Sequence, residues 1–152
     1  VTQVDFYILS SNSPEARLNV ACRLADKAVQ RELGVFLLVE SEHDARRLDE
    51  LLWTFAQNSF LPHRLAWNSA ADGVTEPVVI GLDEHATSAL RGDNDIEDWG
   101  LMINLAAAVP EAFGRFERLA EIVDSTPDIR ERGRERFRFY RDRGYALQTH
   151  HV

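Results

Sequence analysis

Near its C-terminal end the chain reads Arg130-Glu131-Arg132-Gly133-Arg134-Glu135-Arg136-Phe137-Arg138-Phe139-Tyr140-Arg141-Asp142-Arg143, a concentration of arginine in a protein whose formal net charge is -8. Wound as a helix, Arg130, Arg134, Phe137, Arg138 and Arg141 fall on one flank, so guanidinium groups surround an aromatic ring. A guanidinium presents parallel donors that match a carboxylate, and a neighbouring aromatic supplies apolar contact area. The matching ligand is acidic and apolar at once. Two other readings fit the same residues: a solvated amphipathic helix in which Arg134 and Arg138 pair with surface acids, and a groove for the phosphates of single-stranded nucleic acid. The overall acidity argues against nucleic acid being wrapped over the whole surface.

Other reactive residue types carry less. No two of His43, His63 and His85 stand at metal-ligand spacing on one expected helix, and His150 and His151 lie at the chain end. The single cysteine, Cys22, falls on an apolar helical stripe, where an inert buried thiol is expected, and it allows no intrachain disulfide. Asp93, Asp95, Glu97 and Asp98 lack the alternating ligands and closing Glu of a calcium loop. No Gly-x-Ser-x-Gly elbow presents a nucleophile. The first strand exits into Leu9-Ser10-Ser11-Asn12-Ser13-Pro14, which has no glycine for a phosphate-binding turn. The sequence therefore predicts no catalytic residues, no metal site and no cofactor.

The elements that would position the arginine helix can be read from periodicity. Asp5 to Leu9 predicts a strand feeding a helix from Pro14, with Ser13 as cap and Leu18, Ala21, Cys22, Ala25 and Val29 as its inner stripe, stopped by Gly34. Val35 to Val39 is continuously apolar, as a parallel strand covered on both faces is. A second helix follows Ser41, with Ala45, Leu48, Leu52 and Phe55 inward and Trp53 off that stripe. Phe60 to Trp67 and Pro77 to Gly81 predict short strands around a loop, and Gly100 to Leu105 predicts a buried strand after the polar stretch Asp83 to Asp98. Pro110 is expected to open a helix holding Phe113, Phe116, Leu119 and Ala120. A last helix from about Pro127 to Arg143 is closed by Gly144, with a final edge strand from Tyr145 to Thr149. The fold class is α/β: an open, largely parallel sheet with helices on both faces.

At 152 residues the chain has the size of one domain, and its apolar runs are far shorter than the ~20 residues that span a bilayer. With no secretory signal pattern and one thiol, the expected location is cytoplasmic and away from membranes.

Four segments carry a family resemblance: Phe6-Tyr7-Ile8-Leu9, Ala45-Arg46-Arg47-Leu48-Asp49-Glu50-Leu51-Leu52-Trp53, Ser59-Phe60-Leu61-Pro62-His63, and Arg134-Glu135-Arg136-Phe137-Arg138-Phe139-Tyr140-Arg141. In this order and at this length the chain resembles the chi subunit of bacterial DNA polymerase III holoenzyme, a clamp-loader accessory protein. The resemblance implies a single, non-enzymatic, Rossmann-like domain over 1–152 that links the clamp loader, through the psi subunit, to single-stranded DNA-binding protein. It implies that the acidic C-terminal tail of that protein, ending in an apolar Pro-Phe, is held by Val123, Arg130, Arg134, Phe137 and Arg138. Phe137 stands where a better-known member has tyrosine, so ring packing is retained without the hydroxyl. Trp53 matches a retained tryptophan, and Trp53 and Arg141 are further candidate partner contacts. Psi is less widespread than chi, which makes the tail the firmer expected partner. Little direct binding of nucleic acid is expected, and the free protein is expected to be a monomer.

Overall fold

The computed structural model describes residues 2–55, 61–68, 76–89 and 99–152. Among these residues seven strands form one sheet: β1 (Gln3–Ile8), β2 (Gly34–Leu38), β3 (His63–Leu65), β4 (Val78–Gly81), β5 (Trp99–Asn104), β6 (Arg118–Val123) and β7 (Ala146–His151). Their order is β3-β4-β2-β5-β6-β1-β7, and every neighbouring pair is parallel. Parallel neighbours require crossovers, and here these place helices over both faces. On one face α1 (Pro14–Gln30) and α2 (Glu42–Thr54) bury Ala21, Cys22, Ala25, Leu48 and Leu52 against Val35, Leu37, Ile80, Ile103 and Ile122. On the other, α3 (Asp83–Ala89), a single 3-10 turn at Phe113–Arg115 and α4 (Pro127–Asp142) cover Phe6, Phe36, Val79, Met102, Leu119 and Val123. Cys22 is fully buried, and burial pushes its thiol up to about 12, which leaves it protonated and unreactive.

Several expected boundaries shift for physical reasons. The segment after Pro110 is not a helix. Only Phe113–Arg115 makes one 3-10 turn, while Leu119 and Ala120 belong to β6, which lies between β5 and β1. In β6, Leu119, Glu121 and Val123 face α4 while Ala120 and Ile122 face α1. The acidic Glu121 breaks the apolar run of a doubly covered strand and so imitates an amphipathic pattern. The polar stretch after β4 contains α3, while Asp93, Asp95, Glu97 and Asp98 lie outside the described residues. Phe60 and most of the loop expected between Asn68 and Glu76 also lie outside them.

Two helix termini differ from expectation as well. Ser13 occupies the cap position of α1 without a side-chain bond, and its own amide donates to Ser11 Oγ at 3.0 Å. Ser41 does cap α2, accepting from the Asp44 amide at 3.2 Å. Gly34 opens β2 rather than ending α1. The left-handed turn out of α1 is made by Glu32, at φ 62°. A non-glycine residue there pays a steric cost of about 1–2 kcal/mol, against the larger chain entropy of glycine in the unfolded state, about 0.5–1 kcal/mol. Glu32→Gly should therefore stabilise the fold by roughly 0.5–1 kcal/mol, read as a higher urea midpoint at an unchanged slope.

Candidate functional site

α4 begins at Pro127, whose missing N–H costs nothing in a first turn, with Thr126 at the cap position. The entry is fixed by Asp124, whose Oδ1 accepts the Thr126 amide at 2.9 Å. The exit is a left-handed Gly144 at φ 81°. Between these ends one buried cluster seats the helix on the sheet. Glu121 of β6 is fully buried and accepts from Tyr140 Oη at 2.6 Å, from Arg136 Nε at 3.0 Å and from Asn104 Nδ2 at 3.1 Å. Arg136, only 3% exposed, also donates through Nη1 to the Ala107 carbonyl at 2.7 Å. Burial raises the Glu121 carboxyl above its ordinary value, opposed by the Arg136 charge and by hydrogen bonds from Tyr140, Asn104 and Arg136. Burial and the facing carboxylate likewise raise the Tyr140 phenol.

Arg136 is thus committed to the core, and the remaining arginines of α4 divide by partner. Arg132 bonds Asp128 at 3.3 Å, Arg141 bonds Asp142 at 3.2 Å, and Arg143 lies 3.5 Å from the centroid of the Phe139 ring. Arg138 donates to the Arg134 carbonyl of its own helix at 3.4 Å, and has no acidic partner among the described residues. Arg130 and Arg134 have no acidic partner among the described residues.

Those two cations border a cleft of about 310 Å³ between α4 and the strands β6, β1 and β7. Its floor follows from sheet register: Val123, Ile8 and His151 lie side by side across the three strands, with Phe6 and Thr149 one step behind. Phe137 forms its wall, packed edge-on to Phe6 with centroids 5.2 Å apart. Gly133 lets α4 come this close, because a Cβ there would meet Val123 Cγ2 at 2.9 Å. The cleft therefore joins an apolar floor to two uncommitted guanidinium groups.

Four of the expected residues, Val123, Arg130, Arg134 and Phe137, line this one cleft, whereas Arg138 stands outside it on the exposed side of α4. Phe6, Ile8, Gly133, Thr149 and His151 were not foreseen. The period-two alternation of β1 and β7 groups Phe6 with Ile8 and Thr149 with His151, but the register that joins the strands is not visible locally. The other two candidate contacts are far from each other. Trp53, 53% exposed, packs beside His63 next to the β3 edge, whereas Arg141 lies on the last turn of α4. His63 is buried, with Nδ1 2.7 Å from the Leu61 carbonyl and Nε2 3.0 Å from Asp49.

The crevice beyond the C-terminal ends of the strands, where open parallel sheets commonly hold ligands, is crossed by Arg17. It donates to the Ile122 carbonyl at 3.0 Å and to the Leu105 carbonyl at 3.1 Å, and burial lowers its pKa. Among the described residues no group of three or more His, Cys, Asp or Glu could hold a metal ion. No helix among them is long and apolar enough to cross a membrane.

The molecule is thus a parallel α/β sheet with a basic and apolar cleft beside its last helix. The family model described as DNA polymerase III chi subunit, HolC, matches residues 1–148, and the chain belongs to this family of non-catalytic accessory subunits of the replicative polymerase. It is 40% identical over 152 residues to the "DNA polymerase III subunit chi" of Pseudomonas aeruginosa, covering 100% of this chain and 98% of that protein. It is 29% identical to the Haemophilus influenzae subunit over 147 residues, covering 97% and 95%, and 27% identical to that of Escherichia coli over 148 residues, covering 95% and 94%. A chain in "The crystal structure of T4 UvsW" matches with a TM-score of 0.67 over 99% of this chain and 41% of that one, at 7% identity, a likeness of fold alone.

Removing Arg136 strands Glu121 as an unpaired buried charge. Arg136→Ala should cost about 3–5 kcal/mol in urea unfolding, whereas Arg132→Ala, whose partner is exposed, should stay within about 0.5 kcal/mol of the parent.

Proposed function

We propose that this chain is a cytoplasmic replication adaptor. On a Rossmann-like scaffold without a glycine phosphate loop, it holds the acidic C-terminal tail of single-stranded DNA-binding protein and connects it to the clamp loader, through psi where psi exists. The observation that carries this reading is the cleft in which Arg130 and Arg134, without an acidic partner among the described residues, flank Val123 and Ile8 on its floor and Phe137 on its wall. A peptide ending in Pro-Phe offers the complementary set: a terminal carboxylate for a guanidinium, a ring for the floor, and upstream acids for the remaining cations. A free C-terminus has a charge that an internal Pro-Phe lacks, so the site selects chain ends.

Arg134 and Phe137 form the energetic centre, Arg130 and Val123 the edges, and Arg138 the approach. Calorimetry with an acidic ten-residue peptide ending in Pro-Phe should show Arg134→Ala and Phe137→Ala each losing on the order of 2 kcal/mol. Arg141→Ala should alter mainly the association rate and its salt dependence. Deleting the terminal Phe should abolish binding. If peptide with and without that Phe bind equally, or if an oligonucleotide binds in preference to both, the tail reading is wrong and a nucleic-acid groove is favoured.

Two partners held together need separate surfaces. Trp53, exposed beside the β3 edge at the opposite end of the strand order from β7, offers a second one. With a cognate psi, Trp53→Ala should weaken the heterodimer seen by light scattering while leaving tail calorimetry unchanged, and Phe137→Ala should do the reverse. Loss of both by either variant would mean one shared site.

A further inference from the structure

We infer that the free edge of β7 takes up the acidic segment leading into the cleft as an added strand, parallel to β7. This rests on the tail reading above, and extends it from the last residues of the ligand to its backbone. β7 is the last strand of the sheet, and among the described residues nothing pairs with its outer edge. An open edge is usually kept short, or blocked by Lys, Pro or a bulge. The opposite edge fits that rule, since β3 has three residues. β7 has six, Ala146-Leu147-Gln148-Thr149-His150-His151, with no Lys and no Pro, in unbroken register with β1.

The direction of the free groups follows from one bond. Val152 donates its amide to the Ile8 carbonyl at 3.0 Å. In a parallel strand the N–H and C=O of one residue point to the same side and alternate along the chain. Gln148, His150 and Val152 therefore face β1, and Leu147, Thr149 and His151 present theirs outward. Thr149 and His151 also line the cleft through their side chains, so the open edge and the cleft are continuous.

Polarity and charge then fix the occupant. The apolar floor lies at the C-terminal end of β1, β6 and β7, at Ile8, Val123 and His151. A peptide whose C-terminus enters there and whose upstream part follows β7 runs parallel to it. Every second side chain of that peptide faces the flank of α4 that carries Arg130, Arg134 and Arg141. From Arg130 to Arg141 the helix rises roughly 16 Å, comparable with the roughly 20 Å of a six-residue strand. The occupant is an extended acidic peptide, with carboxylates at alternate positions before its apolar end. Main-chain pairing would supply affinity that tolerates sequence drift, and the cleft would supply specificity.

Amide hydrogen exchange on the whole chain, free and saturated with a ten-residue acidic peptide ending in Pro-Phe, tests this directly. The Leu147, Thr149 and His151 amides should slow about tenfold or more on binding, while Gln148, His150 and Val152, already bonded to β1, should change little. Leu147 is diagnostic because it does not line the cleft. In parallel, N-methylating alternate upstream amides of the peptide should weaken binding about tenfold in one of the two alternating series and leave the other near the parent. If calorimetry shows the peptide bound while Leu147 exchanges unchanged and both methylated series bind like the parent, the added strand is refuted and the cleft reading survives. If the peptide does not bind at all, both fall. Slow exchange of Leu147 without peptide, together with a doubled mass, would assign the edge to a second copy of the chain and overturn the inference.

Discussion

The buried ion pair between Glu121 and Arg136 is the constraint on which the rest of this site depends. A carboxylate in the middle of a doubly covered strand is costly unless its lone pairs are filled, and here a guanidinium, a phenol and an amide fill them. The three donors come from two elements, β5 and α4, so satisfying the charge also sets where α4 crosses the sheet. An apolar residue at position 121 would permit a range of helix positions with similar burial. The polar cluster permits one. The close approach at Gly133 and Val123 completes the seating, because the helix has no side chain at that point to hold it away.

That seating sorts a uniform run of arginines into different roles. The arginines of residues 130 to 143 look equivalent in charge, yet one is core, others answer nearby acids or an aromatic face, and two border an apolar hollow without an acidic partner among the described residues. The hollow exists because α4 overhangs the C-terminal ends of β6, β1 and β7, leaving Ile8 and Phe137 only partly covered beside the buried Val123. Under the proposed function, binding of an acidic, apolar chain end would be a consequence of where the helix is pinned.

The cleft lies toward the β7 edge of the sheet, to the side of the β5–β6 crevice where parallel sheets often hold small molecules. Arg17 spans that crevice and is held there by two backbone carbonyls, one following β5 and one in β6. The same side chain ties β5 to β6 at their C-terminal ends. The candidate contact residues lie toward the sheet's two edges, with Trp53 beside β3 and the α4 cleft beside β7.

Periodicity alone determined the strand and helix alternation through β2 and α2, the parallel and doubly covered sheet, the last helix with its glycine stop, and the basic and aromatic character of its flank. These are local properties: a period of 2 or 3.6, a cap or a turn residue leaves its mark within a few positions. β6 was not legible, because a buried glutamate looks like a solvent-facing one until its partners are known. Those partners, Asn104, Arg136 and Tyr140, lie 15 to 19 residues away. The turn at Glu32 was hidden for a similar reason, since a glycine two residues later was the better local candidate. The sequence could nominate Val123, Arg130, Arg134 and Phe137. Only the tertiary structure could add Phe6, Ile8, Thr149 and His151, remove Arg138 from the cleft and assign Arg136 to the core, because strand register and the seating of a helix are set by contacts between segments that share no local signal.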